Sequence, residues 1–112
     1  MKNKADKIKR IGIIGNTDKA ECVSIVRKAT RLIEKTGRKV FVDGDAATLA
    51  RESDLLLVFG GDGTMLRAAR EVAGSQTPML GVNIGGLGFL TAVPSSQLAA
   101  ALTQIWSGDF QL

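Results

Sequence analysis

Leu55-Leu56-Leu57-Val58-Phe59-Gly60-Gly61-Asp62-Gly63-Thr64 decides the fold. Five apolar residues run into two glycines, an acid, a third glycine and a threonine, and the helix-forming run Met65–Ala73 follows at once. A short run that is apolar at every position fits a strand covered on both faces, as in a parallel sheet. The stretch therefore reads as a buried strand, a tight loop and a helix. The glycines permit positive φ and let another molecule approach the backbone closely. Thr64 is placed to cap the helix, whose first N–H groups then face whatever lies above the loop, an arrangement suited to phosphate.

Two common phosphate loops do not fit this stretch. The Walker pattern needs Gly-Lys-Ser/Thr, and the chain contains no Gly-Lys pair. The dinucleotide fingerprint Gly-x-Gly-x-x-Gly fails because Leu66 stands at its third glycine when Gly61 and Gly63 are the first two. The loop carries an acid where phosphate would be repelled, so the acid needs a reason. One reading is an Asx-turn with no chemistry. The other has Asp62 orient a hydroxyl nucleophile and accept its proton as that hydroxyl attacks a phosphoryl group. An aspartate titrating near its usual ~3.9 is ionised at neutral pH and ready to accept, and a helix N-terminus favours the charged form.

Composition narrows the alternatives. The chain has no histidine and one cysteine, Cys22, which excludes a His base, a His metal site, Ser-His-Asp and Cys-His schemes and any intramolecular disulfide. Its 112 residues make one α/β domain, and a hydrophobic fraction of 45% with mean hydropathy +0.11 fits a soluble globular class. No apolar run approaches membrane-spanning length and Met1–Ile8 is not followed by a signal core, so no membrane is expected and the location is expected to be cytoplasmic. Residues 1–39 hold twelve Lys and Arg against four acids, and residues 40–112 three against seven. The basic third lacks interleaved aromatics and reads as a solvated helix face, with no nucleic-acid partner. Near Asp62, phosphate must then be held by backbone N–H groups, Arg67, Mg²⁺ or another segment.

Gly60-Gly61-Asp62-Gly63-Thr64 followed by Gly81-Val82-Asn83-Ile84-Gly85-Gly86-Leu87-Gly88-Phe89-Leu90-Thr91 resembles the NAD kinase family. The first motif is shared with diacylglycerol and sphingosine kinases; the second is more particular to NAD kinases. The resemblance implies a three-layer, open, mostly parallel, Rossmann-like sheet with flanking helices, the N-terminal domain of the NAD kinase/diacylglycerol kinase-like fold. It implies phosphoryl transfer from ATP to the adenosine ribose 2′-hydroxyl of NAD, giving NADP, with Mg²⁺ and with Asp62 as proton acceptor. The site it implies comprises Gly60, Gly61, Asp62, Gly63, Thr64, Arg67, Asn83, Gly86 and Phe89, and the full-length protein it implies is a homo-oligomer. Arg67 reads equally as an exposed helix arginine. Phe89 reads as a hydrophobic plug or as packing against the dinucleotide, and Asn83 as a loop-fixing residue or a ligand contact.

Outward from the central stretch, Ile8–Gly15 reads as the first strand and Gly15–Asp18 as a loop, with Thr17 or Asp18 capping a helix. Cys22, Val26, Ala29 and Ile33 share one face of that helix, which Gly37 ends; Cys22 reads as a small core residue. Val40–Val42 is a second strand, Ala46–Arg51 a helical turn, Gly74–Pro78 a loop and Met79–Asn83 a further strand. Ser95 or Ser96 is expected to cap a last helix with Leu98, Ala101, Leu102, Ile105 and Trp106 on its core face and Gly108 at its end. Alternating strands and helices predict parallel pairing, with the two glycine-rich loops at neighbouring strand ends.

Full NAD kinases carry a second, β-rich domain with an Asn-Glu or Asn-Asp pair that grips the NAD ribose, and no such pair occurs here. The expectation is that residues 1–112 are the N-terminal domain alone, inactive without the second. A lipid kinase domain and a non-catalytic nucleotide-binding module are the alternatives.

Overall fold

The computed structural model describes residues 8–15, 20–42, 44–84 and 93–107, with only the backbone of Asp62 and Ser95. In chain order they form β1 (Arg10–Gly15), α1 (Ala20–Glu34), β2 (Lys39–Phe41), α2 (Ala46–Glu52), β3 (Leu55–Gly60), α3 (Asp62–Glu71), β4 (Met79–Asn83), β5 (Val93–Pro94), a 3₁₀ turn (Ser95–Gln97) and α4 (Leu98–Trp106). The sheet order is β2-β1-β3-β4-β5, with every pairing parallel.

Every residue of β3 is buried, and the two-residue period of a strand explains how its side chains are shared between two faces. Leu55, Leu57 and Phe59 join Ile11, Ile13 and Val82 under α1 and α4. Leu56 and Val58 join Leu49, Met65 and Ala68 under α2 and α3. The result is the expected three-layer α/β arrangement. On α1, Cys22, Ala29 and Ile33 are buried, as their spacing predicts, and Gly37 follows the helix at φ +85°, a conformation glycine adopts without strain.

Several boundaries differ from the sequence reading, each for a local reason. β1 begins at Arg10 because the amides of Lys9 and Arg10 are taken by the Asp54 carboxylate, both at 3.0 Å. β2 is shifted by one residue: Lys39 pairs with Arg10, and Val42 falls outside the ladder, 51% exposed. α2 is a full helix, capped by Asp45, whose side chain accepts from the Thr48 amide at 2.7 Å. The N-caps of α3 and α4 fall at residues other than the expected hydroxyls. Thr64 lies inside α3, whose N-cap is Gly61, and Ser95 and Ser96 are spent on the 3₁₀ turn, leaving Gln97 as the N-cap of α4; neither N-cap makes a side-chain bond. In both places the chain turns earlier than the hydroxyl residue, at Gly60–Gly61 and after Pro94. Trp106 packs against the core but is only half-buried, with the Arg38 guanidinium 3.8 Å above its ring and Arg38 Nε donating to the Ile8 carbonyl at 2.8 Å. The expected caps Thr17 and Asp18 and the stop at Gly108 lie outside the described residues.

Candidate functional site

In a sheet ordered β2-β1-β3-β4-β5, the chain winds one way from β1 and the other way from β3, so the carboxyl ends of β1 and β3 flank the crevice where such sheets bind ligands. Gly15 at the end of β1 is in register with Phe59, and Gly60 is in register with Asn83 at the end of β4. The Gly60–Thr64 loop therefore leaves the sheet at its switch point, between two neighbouring strand ends. The position of β1 beside it is absent from the sequence reading, because strand order is not visible in local patterns.

The turn itself is short. Gly60 has φ +157° and Gly61 is extended, with φ −99° and ψ −169°. Helix α3 starts at Asp62, and its first described bond runs from the Met65 amide to the Gly61 carbonyl at 3.1 Å. The amides of Asp62, Gly63 and Thr64 thus have no intrahelical acceptor, and the positive end of the helix dipole lies at Asp62. The Ile84 amide donates to the Gly60 carbonyl at 3.3 Å and ties the loop to the chain leaving β4.

The glycines of this loop differ in why they are glycine. A β-carbon on Gly60 would lie 2.8 Å from Thr64 Cβ and 2.9 Å from its Oγ1, so both the conformation and the packing there require glycine. Gly61 and Gly63 have no positive φ, and a β-carbon on either meets no described atom within 4 Å. Neither the fold nor the packing among the described residues needs glycine at these two positions. Each leaves bare backbone, with no described atom where a side chain would stand, beside N–H groups that have no intrahelical acceptor.

The remaining expected site residues are placed as follows. Thr64 is half-buried against Gly60, Arg67 is exposed on α3, and Asn83 is half-buried at the end of β4. Gly86 and Phe89 lie outside the described residues, as does the Asp62 side chain. Of the described cations of the basic first third, Lys9, Arg10, Arg27, Lys28, Arg31, Lys35 and Lys39 are exposed, as a solvated face requires, and Arg38 is half-buried over Trp106. A groove of about 560 Å³ lies on the other side of β1, bounded by α1 and Val42, and none of Gly60–Arg67 lines it. Among the described residues no group of three or more His, Cys, Asp or Glu is placed to hold a metal, and no helix is long and apolar enough to cross a membrane.

A doubly wound parallel domain with an acid-bearing, glycine-rich loop at its switch point is the class that fold and site define. Comparison with known proteins narrows it. A model of the family described as ATP-NAD kinase N-terminal domain matches residues 46–110, so the chain belongs to that family. It is 35% identical over 112 residues to the NAD kinase of Methanopyrus kandleri, covering 91% of this chain and 41% of the relative, and 35% identical over 118 residues to that of Syntrophotalea carbinolica, covering 94% and 41%. The chain thus spans about two-fifths of the length of the curated relatives it matches. In fold it is similar to an NAD kinase from Archaeoglobus fulgidus solved in complex with ATP, with TM-score 0.68, 23% identity and coverage of 85% of this chain and 36% of that one. It is also similar to a yeast NADH kinase complexed with NADH, with TM-score 0.65, 17% identity and coverage of 92% and 39%.

Proposed function

We propose that residues 1–112 act as the N-terminal domain of an NAD kinase, and that the Gly60–Thr64 loop holds the reacting phosphates while Asp62 serves as the base. The observation that carries this is the pair Gly61 and Gly63. Gly63 lies in the first turn of α3, where glycine costs up to about 1 kcal/mol relative to alanine, and no described atom lies within 4 Å of where a β-carbon on Gly61 or Gly63 would go. Bare backbone and N–H groups with no intrahelical acceptor, at a switch point, suit an incoming phosphate. Family membership supports the substrates, ATP and NAD.

In the proposed step the adenosine ribose 2′-oxygen of NAD attacks the γ-phosphorus of ATP. The bond from that phosphorus to the β–γ bridging oxygen breaks, ADP leaves, and the hydroxyl proton passes to the Asp62 carboxylate. Asp62 is the first residue of α3, where the dipole favours its ionised form. The amides of the same turn stabilise charge on the transferring group, and positioning supplies most of the rate. Mg²⁺ would enter on the ATP phosphates as part of the substrate and would offset their charge there. In this reading a β-rich second domain supplies the grip on the NAD ribose, and residues 1–112 alone turn over poorly.

The test is Asp62→Asn in the full-length protein. NADP formation is expected to fall by several orders of magnitude while NAD binding is largely retained. Turnover within a few-fold of the parent would remove Asp62 from the role of base.

A further inference from the structure

We propose that Thr64 is a positioning residue of this site: a wedge whose side chain holds the Gly60–Gly63 turn, and the Asp62 backbone within it, at a fixed angle to the sheet. The proposal rests on the reading of the loop as a phosphoryl-transfer site. Thr64 has no capping role to explain it, since it stands three residues past the N-cap Gly61. Instead it folds back onto the end of β3. A β-carbon built on Gly60 would meet Thr64 Cβ at 2.8 Å, Oγ1 at 2.9 Å and Cγ2 at 3.0 Å, so the Thr64 side chain fills the space that a side chain at Gly60 would take.

The intervening chain has little stiffness of its own. Gly61 and Gly63 flank Asp62, and both meet open space among the described residues. Glycine is the residue with the most backbone freedom to lose. Farther along, Met65 and Ala68 are each 3% exposed and anchor α3 to the sheet. Between that anchor and the end of β3, Thr64 is, among the described residues, the side chain that bears on Gly60. A β-branched side chain in a helix is held to few χ1 rotamers, so it works as a rigid spacer. The Gly60 carbonyl also takes the Ile84 amide at 3.3 Å, so displacing Gly60 disturbs the exit of β4 as well. Shape, and not the hydroxyl, is the property this role requires.

The experiment compares Thr64→Ala, Thr64→Val, Thr64→Ser and Asp62→Asn in the full-length protein, with kcat and KM for NAD and ATP measured separately and folding checked by thermal unfolding. Thr64→Ala is expected to lower kcat roughly a hundredfold, the scale of a misplaced reacting group, with both KM values within a few-fold of the parent. Thr64→Val keeps the wedge and is expected to restore kcat to within a few-fold. Thr64→Val inactive with Thr64→Ser active would mean that the hydroxyl itself acts, and would overturn the wedge. Thr64→Ala at parental kcat, beside an inactive Asp62→Asn, would overturn the wedge alone. An active Asp62→Asn would overturn the phosphoryl-transfer reading and this proposal with it.

Discussion

A methyl group added at Gly63 meets empty space among the described residues, and one added at Gly60 meets Thr64. That contrast separates glycines kept for the fold from glycines kept for something outside it. Gly60→Ala is expected to destabilise the domain by about 1–3 kcal/mol, because alanine must either adopt a glycine conformation or displace Thr64. Gly63→Ala is expected to leave stability unchanged or raise it by up to about 1 kcal/mol, yet to weaken nucleotide binding by at least roughly tenfold, about 1.4 kcal/mol. Urea unfolding and calorimetric titration with ATP and NAD check both. Equal nucleotide affinity in Gly63→Ala and the parent would mean that the open backbone is not a ligand surface. At this scale the loop residues were legible as glycines and an acid. Which glycine serves the fold was not, since φ at Gly60 and its contact with Thr64 arise only when α3 packs against β3.

At the scale of elements, acids that look unremarkable in the sequence set the boundaries. Asp45 caps α2, and the Thr48 amide holds its carboxyl below the usual value. Asp54 closes the start of the sheet. It accepts from the Lys9 and Arg10 amides and from Arg10 Nη2 at 3.1 Å, and its own amide donates to the Arg10 carbonyl at 2.7 Å. Partial burial raises the Asp54 carboxyl, but those two amides and the guanidinium outweigh it and hold it below its ordinary value. A carboxyl depressed on folding contributes stability that is present above its unfolded pKa and is lost as pH falls through the folded value. Asp54→Ala is therefore expected to cost about 1–2 kcal/mol at neutral pH, a difference that shrinks as pH drops below the ordinary aspartate pKa of about 4. Urea unfolding of parent and variant across that range tests it; a difference that persists unchanged at acid pH would assign the effect to packing. Asp54 bonds residues 44 and 45 positions away, a partnership that local patterns do not carry. The N-cap of α4 falls at Gln97 for a related reason: which residue stands at a helix start depends on where the chain turns, and a 3₁₀ turn over Ser95–Gln97 comes first.

At the scale of the whole molecule, β3 is the shared wall of two cores, one under α1 and α4 and the other under α2 and α3. Leu57 has no exposed surface and belongs to the first. Leu57→Ala is expected to cost about 2–5 kcal/mol, a large part of the roughly 5–15 kcal/mol that holds a domain together. Equilibrium unfolding measures it, and a loss under about 1 kcal/mol would mean that the strand is not the centre of the sheet. The cores place the site as well as the strand. With α3 pinned through Met65, Ala68 and Val72, the amides of its first turn are held over the switch point.

The sequence by itself determined the order and kind of β1 to β4, α1, α3 and α4, because apolar runs, helical spacing and glycine breaks are local properties of a chain, whereas the two-residue β5 and the full extent of α2 were not legible in it. It also determined the family, through the loop at Gly60–Thr64 and the segment that begins at Gly81. Only the tertiary structure decided the strand order, and with it the placement of Gly15, Gly60 and Asn83 at adjoining strand ends. The same packing decided that Thr64 bears on Gly60 instead of capping α3, and that Trp106 stacks under Arg38 at the edge. Each of these depends on contacts between residues distant in the chain or on the angle at which one element leaves another. Those are set when both faces of the sheet are covered at once, and no short stretch of sequence contains them.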